Sequence, residues 1–221
     1  MKSQFLRLSE NKGSLGDFFR AKRFKFFEQC IRGLPKPVKI LDVGGKESFW
    51  TNRGYDDQKN IQITLVNLEK ELVQSSNMIS LAGDATDLSS FKNNEFDVVF
   101  SNSVIEHLYT LESQRKMAQE CSRVGHFYFI QTPNKHFFLE PHFRFPFFNK
   151  LPHSIAYFIL TKTKLSLGQK WKPENAQITM DEIRLLSKNE FKGLFKHSEI
   201  YIEWFLIFRK SFTLHNFNIE K

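Results

Sequence analysis

Five short runs of β-branched and other apolar residues, several of them ending on polar ones, constrain this chain more than any other feature. They are VKILDV (Val38–Val43), IQITLVNL (Ile61–Leu68), MISLAGDA (Met78–Ala85), EFDVVFSNS (Glu95–Ser103) and HFYFIQT (His126–Thr132). Several are almost continuously apolar, and strands of that kind are covered on both faces, as in a parallel sheet. Parallel neighbours need long crossover connections, and helix-compatible segments lie between the runs. The clearest is LESQRKMAQECSRV (Leu111–Val124), with Thr110 as cap and an apolar stripe through Met117, Cys121 and Val124.

The ends of the chain extend the pattern. DFFRAKRFKFFEQCI (Asp17–Ile31) reads as an imperfect amphipathic helix with a basic face, capped by Asp17 and stopped by GLPKP. TMDEIRLLSKNEF begins on Thr179 with Glu182 three residues on, which predicts a capping box there. SEIYIEW and KSFTLHNF then read as two strands with no helix between them, an antiparallel pair at one sheet edge. The expected fold is α/β, a Rossmann-like, doubly wound, mostly parallel seven-stranded sheet with an antiparallel edge pair. One domain over 1–221 is expected: an N-terminal helical segment (1–36), a ligand-binding half (37–132), a Phe-rich insertion or lid (133–178), and a C-terminal helix with the strand pair (179–221).

The 25 Phe residues and a hydrophobic fraction of 41% supply a real core. Two cysteines, Cys30 and Cys121, stand in no metal or redox spacing and read as reduced thiols. No metal site is expected. With no apolar leader at the N-terminus, the expected location is cytoplasmic. Stretches such as IAYFIL (Ile155–Leu160) are far short of the roughly 20 residues a spanning helix needs. The net charge of +8 is unevenly spread: 13 Lys/Arg against 7 Asp/Glu over 1–60, 5 against 9 over 61–130, and 14 against 8 over 131–221. An acidic centre between basic flanks suits a cationic or hydroxyl-rich ligand in the middle; the flanks read equally well as an anion-facing surface or as solvated charge.

Three successive strand ends carry polar residues together: Asp42, Gly44 and Gly45; then Asn67 and Glu69; then Asp84 with Ala85. A nucleoside needs this set, with main chain that it can approach closely, an acceptor for ribose hydroxyls, and a further acceptor for an adenine amino group. A dinucleotide site asks for G-x-G-x-x-G so that a pyrophosphate can rest on a helix N-terminus. Here Gly44-Gly45 is followed by Lys46, Glu47 and Ser48 with no third glycine, and Glu47 would repel a phosphate. A ligand without phosphates fits better, and a nicotinamide-dependent oxidoreductase fits worse.

ILDVGG, LVNLE, GDATDL, FDVVFSNSVIEHL and QTPNKHF, in that order over about residues 38–135, resemble the class I S-adenosylmethionine-dependent methyltransferases of the type 11 branch. The resemblance implies S-adenosyl-L-methionine as cofactor. Asp42, Gly44 and Gly45 would line its methionine part. The ribose acid of the family aligns with Asn67, so Glu69 would take over that role. Asp84 would face the adenine amino group with Ala85 beside the ring, and Ser101 and Asn102 would border the methyl. Two positions depart from the family pattern: Lys46 stands at its second glycine and Asn67 at its ribose acid.

Methyl transfer from a sulfonium is an in-line displacement in which positioning supplies much of the catalysis, and an oxygen or amine acceptor is also helped by a base near neutrality. His142 in FLEPHFRF, beyond the fifth strand, is the candidate base or substrate contact; His107 in VIEHL is a second candidate that also reads as structural, and Glu140 and His136 are weaker ones. Residues 133–172 are rich in Phe and Pro, with basic residues from Lys135 to Lys172 against the single acid Glu140. As a lid this insertion would exclude water; as a surface it could lie against a membrane; it also reads as a simple cover for the sheet edge. The expected partner is a small-molecule, glycan or lipid-linked acceptor, with contact at a membrane periphery left open. Nucleic acid is not expected, because no reading motif accompanies the basic residues. The alternative from another class is a fold-keeping protein, weak or silent in catalysis, that binds a membrane or protein partner through the basic Phe-rich insertion.

Overall fold

In the computed structural model, which describes residues 15–219, a seven-stranded sheet has the spatial order β3-β2-β1-β4-β5-β9-β8. Its strands are β1 (Val38–Val43), β2 (Ile61–Asn67), β3 (Met78–Ala82), β4 (Phe96–Asn102), β5 (Gly125–Pro133), β8 (Glu199–Phe205) and β9 (Phe208–His215). The first five run parallel, and β9 pairs antiparallel with both β5 and β8. The expected mostly parallel sheet with an antiparallel edge pair is thus the observed fold.

Alternation along the strands feeds two cores. Ile40, Val98, Phe100 and Phe129 face one side, where α1 (Leu15–Ile31) and the short α2 (Glu47–Thr51) supply Phe24, Phe27 and Trp50. Leu41, Val43, Val99 and Ile130 face the other, against Met117, Ala118 and Cys121 of α3 (Leu111–Val124) and Phe191 of a later helix, α6 (Lys188–Leu194). Much of the Phe content is spent on the first face. The Phe100 and Phe129 rings lie parallel at 5.7 Å, and Phe27 and Trp50 meet Phe100 edge-on at 4.9 and 5.3 Å.

Between β5 and α6 the chain builds a separate apolar cluster. It contains a two-stranded hairpin of β6 (Leu139–Glu140) and β7 (Phe145–Pro146), followed by α4 (His153–Lys162) and α5 (Pro173–Glu182). Phe143, Phe148, Leu160, Trp171 and Ala176 form its core, with Met180 and Ile183 packed on it. The helix α5 therefore belongs with the insertion and crosses residue 178.

Helix ends follow local chemistry where no tertiary demand overrides it. Thr110 caps α3 as expected, its side chain accepting from Ser113 N at 3.0 Å. The capping box expected at Thr179 is corrected: those residues close α5, which starts at Pro173, and the box belongs to Ser187 and Glu190 at the head of α6. The reason is that Leu186 is drawn into a parallel bridge with Asn134, with Lys135 N donating to Leu186 O at 3.1 Å, so the chain must be extended there. Ser187→Ala should therefore cost about 1 kcal/mol of stability and Thr179→Ala next to nothing, measured by urea denaturation.

Candidate active site

Parallel register decides which residues meet at the carboxyl ends of the strands. Val43 is level with Val66, Asn67 with Ala82, and Asp42 with Phe100. One step past the ladders Gly44 falls between Asn67 and Asn102, while Glu69 and Asp84 lie in the loops that follow β2 and β3. Adjacent strands lie about 4.8 Å apart, so the loops after β1 and β3 leave the sheet on the order of 10 Å apart along one edge. Gly44 N donates to Val66 O at 2.8 Å and Gly83 N to Asn67 O at 2.8 Å, which carries the ladder into both loops.

Gly44 is exposed and holds φ at +78°, a left-handed conformation that favours glycine, and a Cβ there would collide with Val104. A Cβ on Gly45 would strike the Asp42 carboxylate directly. Main chain is thus bared at the end of β1, and a carboxylate lies under it. Asp42 itself is buried: one oxygen accepts from Trp50 Nε1 at 2.7 Å, and Oδ1 has no hydrogen-bond partner among the described residues. Loss of solvent pushes its pKa up to about 7, and the Trp50 bond only partly opposes this. Asp42 shapes the glycine turn from below, with no exposed face of its own.

The other expected contacts divide by where their side chains go. Asn67 donates from Nδ2 to Gly45 O at 2.8 Å, so it pins the glycine turn. Glu69 is exposed beyond it. Asp84 is exposed and closes a small turn on Thr86 N at 2.7 Å and Thr86 Oγ1 at 2.8 Å, while Ala85 packs on the core. Ser101 is fully buried and its hydroxyl donates to Val43 O at 2.9 Å. Asn102 accepts at Oδ1 from Arg23 at 2.7 Å. Glu47 turns away from the glycine turn to accept from Gln74 N, Ser75 N and Ser75 Oγ at 2.7–2.9 Å.

Two groupings escaped the sequence. Arg23 of α1 is buried, bonds Asn102, and forms an ion pair at 2.7 Å with buried Glu203 of β8, which Ser211 and Lys210 also approach. The pair is 180 residues apart in sequence, so no local pattern announces it. The second lies past β4, where a 3-10 turn, Ile105–His107, brings Glu106 and His107 against His142 of the insertion. The two imidazoles meet edge to face with centroids 5.0 Å apart. His142 Nδ1 lies 2.7 Å from Glu140 Oε1, and Glu140, itself buried, takes Phe143 N on its other oxygen at 2.7 Å. Burial lowers the pKa of His142, but the bond to Glu140 and the charges of Glu140 and Glu106 outweigh it and the net shift is upward. Both histidine candidates therefore stand together, His107 five residues past Asn102, with its neighbour Glu106 tied to β5 by Thr132 Oγ1, which donates to Glu106 Oε2 at 3.0 Å.

Bared main chain at one strand end and acids at the next two define an α/β domain suited to a phosphate-free nucleoside. Residues 41–127 match the family model described as the methyltransferase domain. That match covers less than half of the chain, and S-adenosylmethionine is the cofactor of the class it describes. No curated protein matches the chain. Among solved structures, a SAM-dependent methyltransferase of Methanosarcina mazei is 13% identical with a TM-score of 0.51, over 83% of this chain and 93% of that one. A SAM-dependent methyltransferase of Aquifex aeolicus is 14% identical with a TM-score of 0.47, over 88% and 87%. A Galdieria sulphuraria protein assigned as a sarcosine dimethylglycine methyltransferase is 20% identical with a TM-score of 0.40, over 52% of this chain and only 46% of that one. At these identities the likeness is one of fold.

The residues present are of the kinds this cofactor needs: bared glycine main chain at one strand end and exposed carboxylates after the next two. The raised pKa of Asp42 also sets a pH test. Folding favours its protonated form, so its contribution to stability is present below the usual carboxylate pKa of 3.8 and is lost as pH rises through about 7. Asp42→Asn keeps an acceptor for Trp50 and removes that slope. Urea unfolding at pH 5 and pH 8 should show the variant gaining on the wild type by on the order of 2 kcal/mol between the two conditions.

Proposed function

We propose that this protein transfers a methyl group from S-adenosylmethionine to a small-molecule, glycan or lipid-linked acceptor received beneath the 133–178 insertion. The observation that carries the reading is the set Gly44, Asn67, Glu69 and Asp84 at or just past three neighbouring parallel strand ends, within residues that match the methyltransferase domain model. S-adenosylmethionine supplies a methyl on a sulfonium, and the task left to the chain is to orient and to exclude water. In this reading the glycine turn, braced by Asp42, Trp50 and Asn67, receives the methionine part. Glu69 takes the ribose hydroxyls and Asp84 the adenine amino group. Asn102, fixed by Arg23, borders the acceptor space. His142 accepts or relays the acceptor proton, with Glu140 holding its ring.

Calorimetric titration with S-adenosylhomocysteine tests the cofactor half. Micromolar binding is expected, weakened about 10- to 100-fold in Glu69→Gln, as for loss of a hydrogen bond to a charged group. No heat at millimolar ligand would overturn it.

The acceptor class is supported by the surface around the insertion. The tip of the β8–β9 hairpin exposes Trp204, Leu206, Ile207 and Phe208, the middle two about 80% exposed. Phe138 joins that tip to the insertion, 4.9 Å from Phe208 and 6.5 Å from Phe147. A cleft of about 390 Å³ lined by His136, Trp204, Ile207 and Phe208 opens beside it. Arg209 lies over Trp204 at 5.4 Å and Lys150 over Phe147 at 5.4 Å, so cations rim the apolar residues. That combination suits an anionic lipid surface. No helix among the described residues is long and apolar enough to cross a membrane. Sedimentation with anionic phosphatidylglycerol vesicles should carry the protein down, and Leu206→Ser with Ile207→Ser should reduce the bound fraction at least fivefold. Tight vesicle binding without any cofactor binding would instead favour a non-catalytic membrane-binding role.

A further inference from the structure

We propose that Glu106, His107 and His142 form a binding site for a divalent transition-metal ion. One potential ligand atom from each of the three lies within 4.8 Å of the others. Two imidazoles and one carboxylate are a ligand set for zinc and its first-row neighbours, and three protein ligands leave a coordination position open.

The groups behind the cluster point the same way. Metal-ligating histidines commonly engage their second ring nitrogen with a carboxylate, which fixes the tautomer and aims the ligating nitrogen. His142 has this arrangement: Nδ1 is engaged by buried Glu140 at 2.7 Å, which leaves Nε2 for the ion. Glu140 is held in turn by Phe143 N at 2.7 Å. Glu106 is fully buried, and Thr132 Oγ1 donates to its Oε2 at 3.0 Å. Its Oε1 is also buried and has no hydrogen-bond partner among the described residues. A buried carboxylate oxygen without a partner is costly, and here it sits in the same cluster as two imidazoles.

The backbone around the ligands is committed as well. Ser103 and Tyr109 flank the 3-10 turn at φ +59° and +44°, and Arg144 follows His142 at +47°. Ser103 is held in that conformation by hydrogen bonds from its N to Gln131 O at 3.1 Å and from its Oγ to Gln131 Oε1 at 2.8 Å. Side chains from two segments, one after β4 and one in the insertion, thus converge on a single point from well-fixed backbone.

An ion here would also latch the insertion to the sheet, because His142 belongs to one and Glu106 and His107 to the other. The site lies past the end of β4, where Asn102 borders the acceptor space; on the methyl-transfer reading, the open coordination position would receive an acceptor oxygen and lower its pKa.

The test uses the whole chain, stripped of metal by chelator and free of cofactor, titrated with Zn²⁺, Mn²⁺ and Co²⁺ by calorimetry. One ion per chain is expected, with Co²⁺ giving a visible absorption band. Glu106→Gln and His107→Ala should weaken binding at least 100-fold. Glu140→Gln, which touches no ligand position but His142, should weaken it 10- to 100-fold and shift the Co²⁺ band. Circular dichroism checks that each variant is folded, and His107→Ala, at the rim of the core, covers the case in which a buried variant is not. No binding by the folded wild type at millimolar metal, or binding unchanged in folded His107→Ala and Glu140→Gln, would overturn the proposal. S-adenosylhomocysteine titration on the same samples keeps the two readings apart, since metal binding is measured without it.

Discussion

The parallel pairing of β1 with β2 and β4 is the constraint on which everything else rests. In a parallel ladder all strands end on the same side, and their following loops must all turn there. Register then fixes which loop residue faces which. Because Val43 pairs with Val66 and Asp42 with Phe100, the glycine turn falls between Asn67 and Asn102 and nowhere else. A slip in this ladder would separate Gly44 from Glu69 and Asp84 and turn Ile40 and Leu41 to the wrong cores. Apolar packing on both faces, with Phe27, Trp50 and Phe129 on one and Met117, Cys121 and Phe191 on the other, is what forbids that slip.

Buried carboxylates work against this apolar background, and among the described residues Asp42, Glu106, Glu140 and Glu203 gather toward one end of the sheet. Asp42, Ser101, Asn102, Glu106, Thr132, Glu140 and Glu203 all lie near the carboxyl ends of the strands or in segments that cover them, and most are fully buried. Each needs a partner, some near in sequence, as Trp50 for Asp42 and His142 for Glu140, and others far, as Thr132 for Glu106 and Arg23 for Asn102 and Glu203. This makes α1, the insertion and the terminal strand pair dependent on one another through the same end of the sheet. A fold held by area alone would have had no reason to bury so many carboxylates together.

What was legible beforehand follows from the range of the forces involved. Strand identity and order came from alternation and apolar runs, which act over a few residues. Thr110 was readable because its cap is completed by Ser113 three residues on. The Thr179 capping box failed for the opposite reason. The local pattern was present, but Pro173 starts the helix earlier, and pairing of Leu186 with Asn134 pulls the following residues straight. Ser101 and Asn102 were expected as site residues through the family resemblance. Their hydroxyl and amide prove to be engaged by Val43 and Arg23, contacts no spacing rule encodes. Arg23 with Glu203, and Glu106 and His107 with His142, join elements far apart in the chain, so they became visible only in three dimensions.

The placement of the histidines bears on how such a site can discriminate among acceptors. A lone base on a mobile loop would accept any nucleophile that reached it. Here the ring of His142 is fixed by Glu140, its neighbour His107 belongs to the turn that follows β4, and Glu106 is locked to β5 through Thr132. On the proposed reading an acceptor would meet a rigid polar corner at one end of its space, with Phe138, Trp204 and Phe208 as apolar contacts along the approach. Polar groups held that firmly penalise any ligand that leaves them unpaired, whereas apolar walls discriminate weakly. Selectivity in this protein is accordingly expected to reside in the atom presented to the corner, with the aromatic surface setting only where that atom can come from.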